Sequence, residues 1–123
     1  MPRHFPTALA LAAAVLVAGC GDSDEERVRE AVRSYGDAVA KKDYQRICDE
    51  LIARELVQNL AEIGLPCEVA LRRGLGAVRN PKLDIRRVQV VEDRALVSVH
   101  STAANQKPSD DMLEVRKQDG VWR

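Results

Sequence analysis

The periodicity of apolar residues changes once along this chain, and that change limits the folds open to it. Between Asp24 and Val78 the apolar residues recur at helical spacing, whereas from Asp84 they alternate with polar ones. Helices followed by a meander of strands describe an α+β domain, with N-terminal helices packed on an antiparallel sheet.

The local signals agree with this division. Ser23-Asp24-Glu25-Glu26 matches the S-x-x-E capping box and starts a helix expected from Asp24 to about Lys41. Its stripe is Val28, Ala31, Val32, Tyr35, Ala38 and Val39. Glu25, Glu26, Glu30 and Asp37 read as its solvated face, and Asp43 reads as the next N-cap. A second helical stretch is expected from Tyr44 to about Ile63, broken near Ile52–Arg54 and burying Tyr44, Ile47, Cys48, Leu51, Leu56 and Leu60. Gly64-Leu65-Pro66 ends it. Pro66 suits the first turn of a third helix over Cys67 to Val78, weakened at its end by Gly74 and Gly76.

After the turn signal Asn80-Pro81, strands are expected over Asp84–Val91 and Arg94–Ser101, joined tightly by Glu92-Asp93. In a hairpin Val88 and Val90 share one face with Ala95, Val97 and Val99, and His100 falls on the other. Ala103–Ser109 reads as a polar loop. A third strand follows over Asp110–Gln118 with Leu113 and Val115 facing in, and Asp119-Gly120 turns the chain into a last strand at Val121-Trp122-Arg123.

Ahead of the domain, Thr7 to Gly19 carry no charge and consist mostly of Ala, Leu and Val, preceded by the single firm charge of Arg3. The run is shorter than the roughly 20 residues of a bilayer-spanning helix and suits the apolar core of an export signal. Val17-Ala18-Gly19-Cys20 resembles the lipobox of bacterial lipoproteins. The resemblance implies cleavage before Cys20, lipid on its sulfur, and an extracytoplasmic protein held to the membrane by that lipid. The chain then divides into a signal peptide at 1–19, the lipidated Cys20 with a very short linker at 20–23, and a domain at 24–123. Two acyl chains give the stable anchoring that one does not.

Cleavage would leave 104 of the 123 residues and remove Arg3, so that 18 basic residues face 19 acidic ones. A near-neutral domain has no electrostatic reason to bind nucleic acid or anionic lipid. With only Tyr35, Tyr44 and Trp122 as aromatics it offers no platform for stacking bases. Arg72-Arg73 and Arg86-Arg87 lie among acids and make a poor basic patch. No phosphate loop, nucleophile elbow, metal-ligand spacing or cofactor motif is present.

With Cys20 given to lipid, Cys48 and Cys67 remain. An exported, oxidising compartment favours a disulfide between them. Two free buried thiols are the plain alternative, and a metal or redox pair is disfavoured because the spacing is not C-x-x-C and no His lies nearby.

Val32-x-x-Tyr35-x-x-Ala38 with Lys42-Asp43, the hairpin from Val88 to Val99, and the ending Val115-Arg116-Lys117-Gln118-Asp119-Gly120-Val121-Trp122-Arg123 together resemble NTF2-like, or SnoaL-like, domains. Cys48 and Cys67 resemble the cysteine pair of exported versions from high-GC bacteria, and 14 Arg against five Lys fit that coding bias. The implied fold is a cone, with helices on the concave side of a curved sheet and a pocket between them. It also implies a last strand running several residues beyond Trp122-Arg123.

In ketosteroid isomerases of this superfamily a Tyr on the first helix donates to a developing oxyanion, eight residues before an Asp in the following turn. Tyr35 and Asp43 keep that spacing. The remaining acids of the isomerase do not carry over. Val97 and Val99 stand at the matching inward positions of the sheet, and Glu68 is the nearest acid beyond the second helix. A donor without a base cannot move a proton from carbon.

The expected function is therefore a non-catalytic binding or assembly module, with Tyr35, Val97, Val99 and Trp122 as candidate pocket residues. Its partner would be a small apolar ligand or an envelope protein, a homodimer through the outer sheet face is plausible, and no cofactor is called for. The alternative is a small-molecule isomerase or dehydratase using the cone pocket.

Overall fold

The computed structural model describes residues 23–123; the leader at 1–19, Cys20 and the linker up to residue 22 lie outside the described residues. The first helix, α1 (Asp24–Ala40), is capped by the Ser23 hydroxyl, which accepts from the Glu26 N–H at 3.2 Å. Asp24, Glu25 and Glu26 occupy its first turn, where the helix dipole favours negative charge. Asp43 caps α2 (Tyr44–Arg46) by accepting from the Arg46 N–H. α2 widens at once into a π-helical turn, Ile47–Leu51. The chain then breaks at Ile52 and Ala53, resumes as α3 (Arg54–Glu62), and after Gly64 (φ +74°) forms α4 (Cys67–Leu75).

Pro66 is the N-cap of α4 rather than a residue of its first turn, and α4 stops at Gly76 instead of reaching Val78. α3 also departs from expectation. None of its residues is buried, Leu56 remains 49% exposed, and Leu60 is only half-buried.

The sheet is an antiparallel meander in the order β1 (Lys82–Val91), β2 (Arg94–Ala103), β3 (Gln106–Gln118), β4 (Val121–Trp122). Val88 pairs with Val97 and Val90 with Ala95, so the inner face has the expected register. A bulge at Arg86 lies between Ile85, opposite Val99, and Arg87, opposite Ser98. It absorbs a phase slip visible in the sequence: the inward positions run Leu83, Ile85, then Val88, Val90. An extra residue on one strand bends it and sharpens the twist, which helps curl the sheet.

The segment expected as a polar loop, Ala103–Ser109, is almost wholly strand. Ala103 pairs with Gln106 across a tight turn, and Asn105 secures that turn by accepting from the Arg79 N–H and donating to the Ala77 carbonyl. Ladder bonds satisfy the backbone here while the side chains face water, so polarity did not indicate a loop. At the other end, Asp119 (φ +51°) and Gly120 (φ +79°) form the expected two-residue turn, with Gln118 opposite Val121.

α1 lies against the concave face. Val28 and Val32 pack on Ala95, Val97, Val99, Val115 and Trp122 in one core. A second cluster joins Ala38, Tyr44 and Ile47 with Tyr35, Val39, Leu51 and Leu71. The Cys48–Cys67 disulfide ties the π-helical turn to the start of α4, with Cα atoms 6.0 Å apart.

Candidate functional site

Tyr35 marks the junction of these two clusters. One turn after Val32, it projects from α1 between the sheet and the α2–α4 region, and it lines a cavity on each side. The first, about 220 Å³, lies among Val32, Tyr35, Leu51, Ile52, Leu56 and the Leu113–Val115 stretch of β3. The second, about 160 Å³, lies under the β2–β3 turn among Tyr35, Val39, Leu83, Ser101, Lys107 and Ser109. Burial raises the pKa of the Tyr35 phenol, so the hydroxyl stays protonated and can donate.

The other candidate pocket residues line neither cavity. Val97 and Val99 are 0% and 1% exposed, packed against α1 in the first core cluster. Trp122 belongs to the same cluster at 5% exposure, and its indole N–H donates to Asp24 at 3.3 Å. The centre of the cone, where the resemblance implied a pocket, is filled, because two short β-branched side chains on β2 let α1 settle close to the sheet. Ligand pockets for drug-sized molecules typically hold about 300–1,000 Å³, and both cavities beside Tyr35 fall below that range.

Trp122 belongs to a clamp that closes the cone. Asp24 also accepts from the Lys117 ammonium at 3.4 Å, and that ammonium stands 5.9 Å from the centre of the Trp122 ring. The hydrogen bond from Trp122, assisted by Lys117 and Arg27, holds the Asp24 carboxyl below its ordinary range. Beyond Trp122, Arg123 and Arg116 exchange backbone hydrogen bonds of 2.8 and 2.9 Å, and the Arg123 guanidinium reaches the Asp49 carbonyl on the π-helical turn.

The acids near Tyr35 are poorly placed for proton transfer. Glu114 reaches the rim of the first cavity from the outer side of β3. Arg116 (2.9 Å) and Arg94 (3.0 Å) both donate to its Oε1, which lowers its pKa and makes it a weaker base. Asp43 is engaged as the α2 cap, and Glu68 lines neither cavity.

Asp111 escaped the sequence reading. It pairs with Val99 and therefore shares the concave face, where it accepts from the Ser109 hydroxyl at 2.7 Å. Continuing the alternation of Leu113 and Val115 two residues toward the N-terminus would have found it. His100 lies on the convex face, its Nδ1 2.7 Å from Asp110. Among the described residues no cluster of His, Cys, Asp or Glu is arranged to hold a metal ion, and no helix is long and apolar enough to cross a membrane.

The sequence matches no protein-family model and no curated protein. The architecture does have solved counterparts. A de novo designed NTF2-fold protein superimposes with a TM-score of 0.56 at 18% identity, over 83% of each chain. A Campylobacter jejuni protein provisionally called an NTF2-like transpeptidase superimposes with a TM-score of 0.45 at 14% identity, over 76% of this chain and 93% of that one. Helices seated on a curled four-stranded antiparallel sheet, with this order of elements, make the domain NTF2-like in fold.

Proposed function

We propose that the chain is an extracytoplasmic lipoprotein, held to the membrane by lipid on Cys20, whose NTF2-like domain is a non-catalytic binding and assembly module. The observation that carries the domain's role is the filled cone. Val28, Val32, Val97 and Val99 occupy its centre, and only small clefts remain beside Tyr35. Such a domain meets partners chiefly through its surface, with Tyr35 as a polar handle for a small ligand.

The isomerase or dehydratase alternative needs a base within hydrogen-bond reach of the reacting carbon. Among the described residues the one acidic side chain lining a Tyr35 cavity, Glu114, is engaged by two guanidinium groups. The anchor rests on the lipobox resemblance, and the Cys48–Cys67 disulfide supports export to an oxidising compartment.

Membrane fractionation of Cys20→Ser, with turnover assays on enolisable ketones, tests both halves. The variant is expected to leave the membrane fraction or to persist as uncut precursor. Normal cleavage with unchanged retention would overturn the anchor, and turnover abolished by Tyr35→Phe would overturn the non-catalytic role.

A further inference from the structure

The net charge of the chain is zero, but the fold sorts its charges by position. Residues 39–42, 69–83 and 101–109 contain no Asp or Glu, and they carry Lys41, Lys42, Arg72, Arg73, Arg79, Lys82 and Lys107. These stretches are distant in sequence and meet at one end of the domain. The Lys42 ammonium donates to the Gly76 carbonyl at 2.7 Å and closes the end of α1 on the end of α4. The Arg79 carbonyl accepts from the Ala104 N–H at 2.8 Å, and Lys82 pairs with Thr102, so the link after α4 and the start of β1 adjoin the β2–β3 turn.

All of these cations are exposed. Elsewhere Arg29, Arg54, Arg94 and Arg116 pair with acids, whereas none of the cations at this end forms an ion pair among the described residues. Acids gather at the opposite end. Asp24, Glu25 and Glu26 open α1, and Asp24 meets Lys117, whose N–H donates to the Asp93 carbonyl. The 17 residues of α1, about 26 Å of helix, separate the two ends.

The 160 Å³ cavity lies among the cations. Lys82 and Lys107 line it, and Tyr35, Val39, Leu75, Val78 and Leu83 give it an apolar wall. An apolar cavity of about 150 Å³ holds a benzene ring. The 220 Å³ cavity takes Arg123 into its lining, but this one takes no residue beyond Ser109.

We propose that this basic end docks an acidic segment of a partner protein, with a Phe ring in the 160 Å³ cavity and Asp or Glu on both sides of it against Lys82 and Lys107. The proposal rests on the assembly role above and names the partner's chemistry. Unpaired cations steer an anionic partner to this end, and the apolar cavity among them selects one that carries an aromatic side chain. A polyanion such as polyphosphate has no group for that cavity. Anionic lipid of the anchoring bilayer meets the other end, because Cys20 lies just ahead of Ser23 and the acidic first turn of α1.

The test is a fluorescence-anisotropy titration of the mature protein, in uncharged detergent, with labelled Gly-Asp-Glu-Phe-Glu-Asp-Gly. One control peptide has Ala in place of Phe, and another has Asn and Gln in place of the acids. Each control is expected to bind about tenfold more weakly. Lys82→Glu/Lys107→Glu is expected to weaken the acidic peptide about tenfold. Arg86→Glu/Arg87→Glu makes the same change of charge at the β1 bulge, away from the cavity, and is expected to alter affinity by less than about twofold. Native Trp122 fluorescence verifies that both variants are folded.

No binding up to about 1 mM, or equal weakening by the two charge reversals, would overturn the proposal. Equal affinity for the Phe and Ala peptides, with polyphosphate displacing both, would give this end to a polyanion and also overturn it. Membrane fractionation of Cys20→Ser and the turnover assays are independent of these outcomes, so the anchored, non-catalytic reading stands or falls separately.

Discussion

The Cys48–Cys67 disulfide encloses α3, a helix with no buried residue, and removing it gives the sharpest test of what holds this domain together. The bond joins residues 19 apart in sequence. Closing a loop of about 20 residues lowers the entropy of the unfolded chain by about 11 cal/mol/K, or about 3 kcal/mol at 25 °C. A domain of this size has a total stability of about 5–15 kcal/mol. With an unfolding entropy of about 0.2 kcal/mol/K for roughly 100 residues, the loss corresponds to about 15 °C in Tm.

The pairs Arg54–Asp119 and Arg116–Glu55 cannot replace the staple. Their side chains are 45–78% exposed, and exposed pairs contribute about 0–1 kcal/mol each. The double variant Cys48→Ala/Cys67→Ala, compared with the disulfide-bonded wild type, is therefore expected to lose about 3 kcal/mol in urea unfolding, and its α3 amides to exchange near the free-chain rate. A loss below about 1 kcal/mol, with α3 still protected, would refute the reasoning.

Three further outcomes follow from the core and the clamp. Trp122→Ala, at a site 5% exposed, should cost about 3–5 kcal/mol; a loss under about 1 kcal/mol in chemical denaturation would mean that the C-terminal hairpin does not close the core. Asp24 has its folded pKa lowered below 3.8, chiefly by the Trp122 hydrogen bond. Its contribution is thus complete above the unfolded pKa and lost as pH falls through the folded one. Wild type should exceed Asp24→Asn in stability at pH 7 and converge with it as pH falls through the lowered pKa, whereas a gap independent of pH would refute the assignment. The buried Tyr44 hydroxyl has no hydrogen-bond partner among the described residues, so Tyr44→Phe should leave stability unchanged or raise it by about 1 kcal/mol, and a clear loss in thermal unfolding would count against this.

Several features were legible because a few neighbouring residues encode them. Ser23 caps α1, Asp43 caps α2, Asp119-Gly120 turns the last hairpin, and the alternation of Val88 and Val90 against Ala95, Val97 and Val99 sets the β1–β2 register. Each depends on local dihedrals, a side chain beside its own backbone, or a period of two. The pairing of Cys48 with Cys67 was legible from composition and from the compartment that the export-signal reading implies, since few cysteines leave few partners.

Tertiary structure decided the rest, because those properties are sums over distant contacts. Polarity over Ala103–Ser109 suggested a loop, yet pairing with β2 makes it strand. The helical spacing of Leu56 and Leu60 promised burial, but neither the sheet nor another helix covers α3. Val97 and Val99 were legible as inward-facing. Whether they would line a hollow or fill it depended on how closely α1 settles on a sheet bent at Arg86, and Val28 and Val32 close that space. The sequence by itself determined the elements and their inward faces; the depth of the cone and the surface left exposed arose only when the sheet curled around α1.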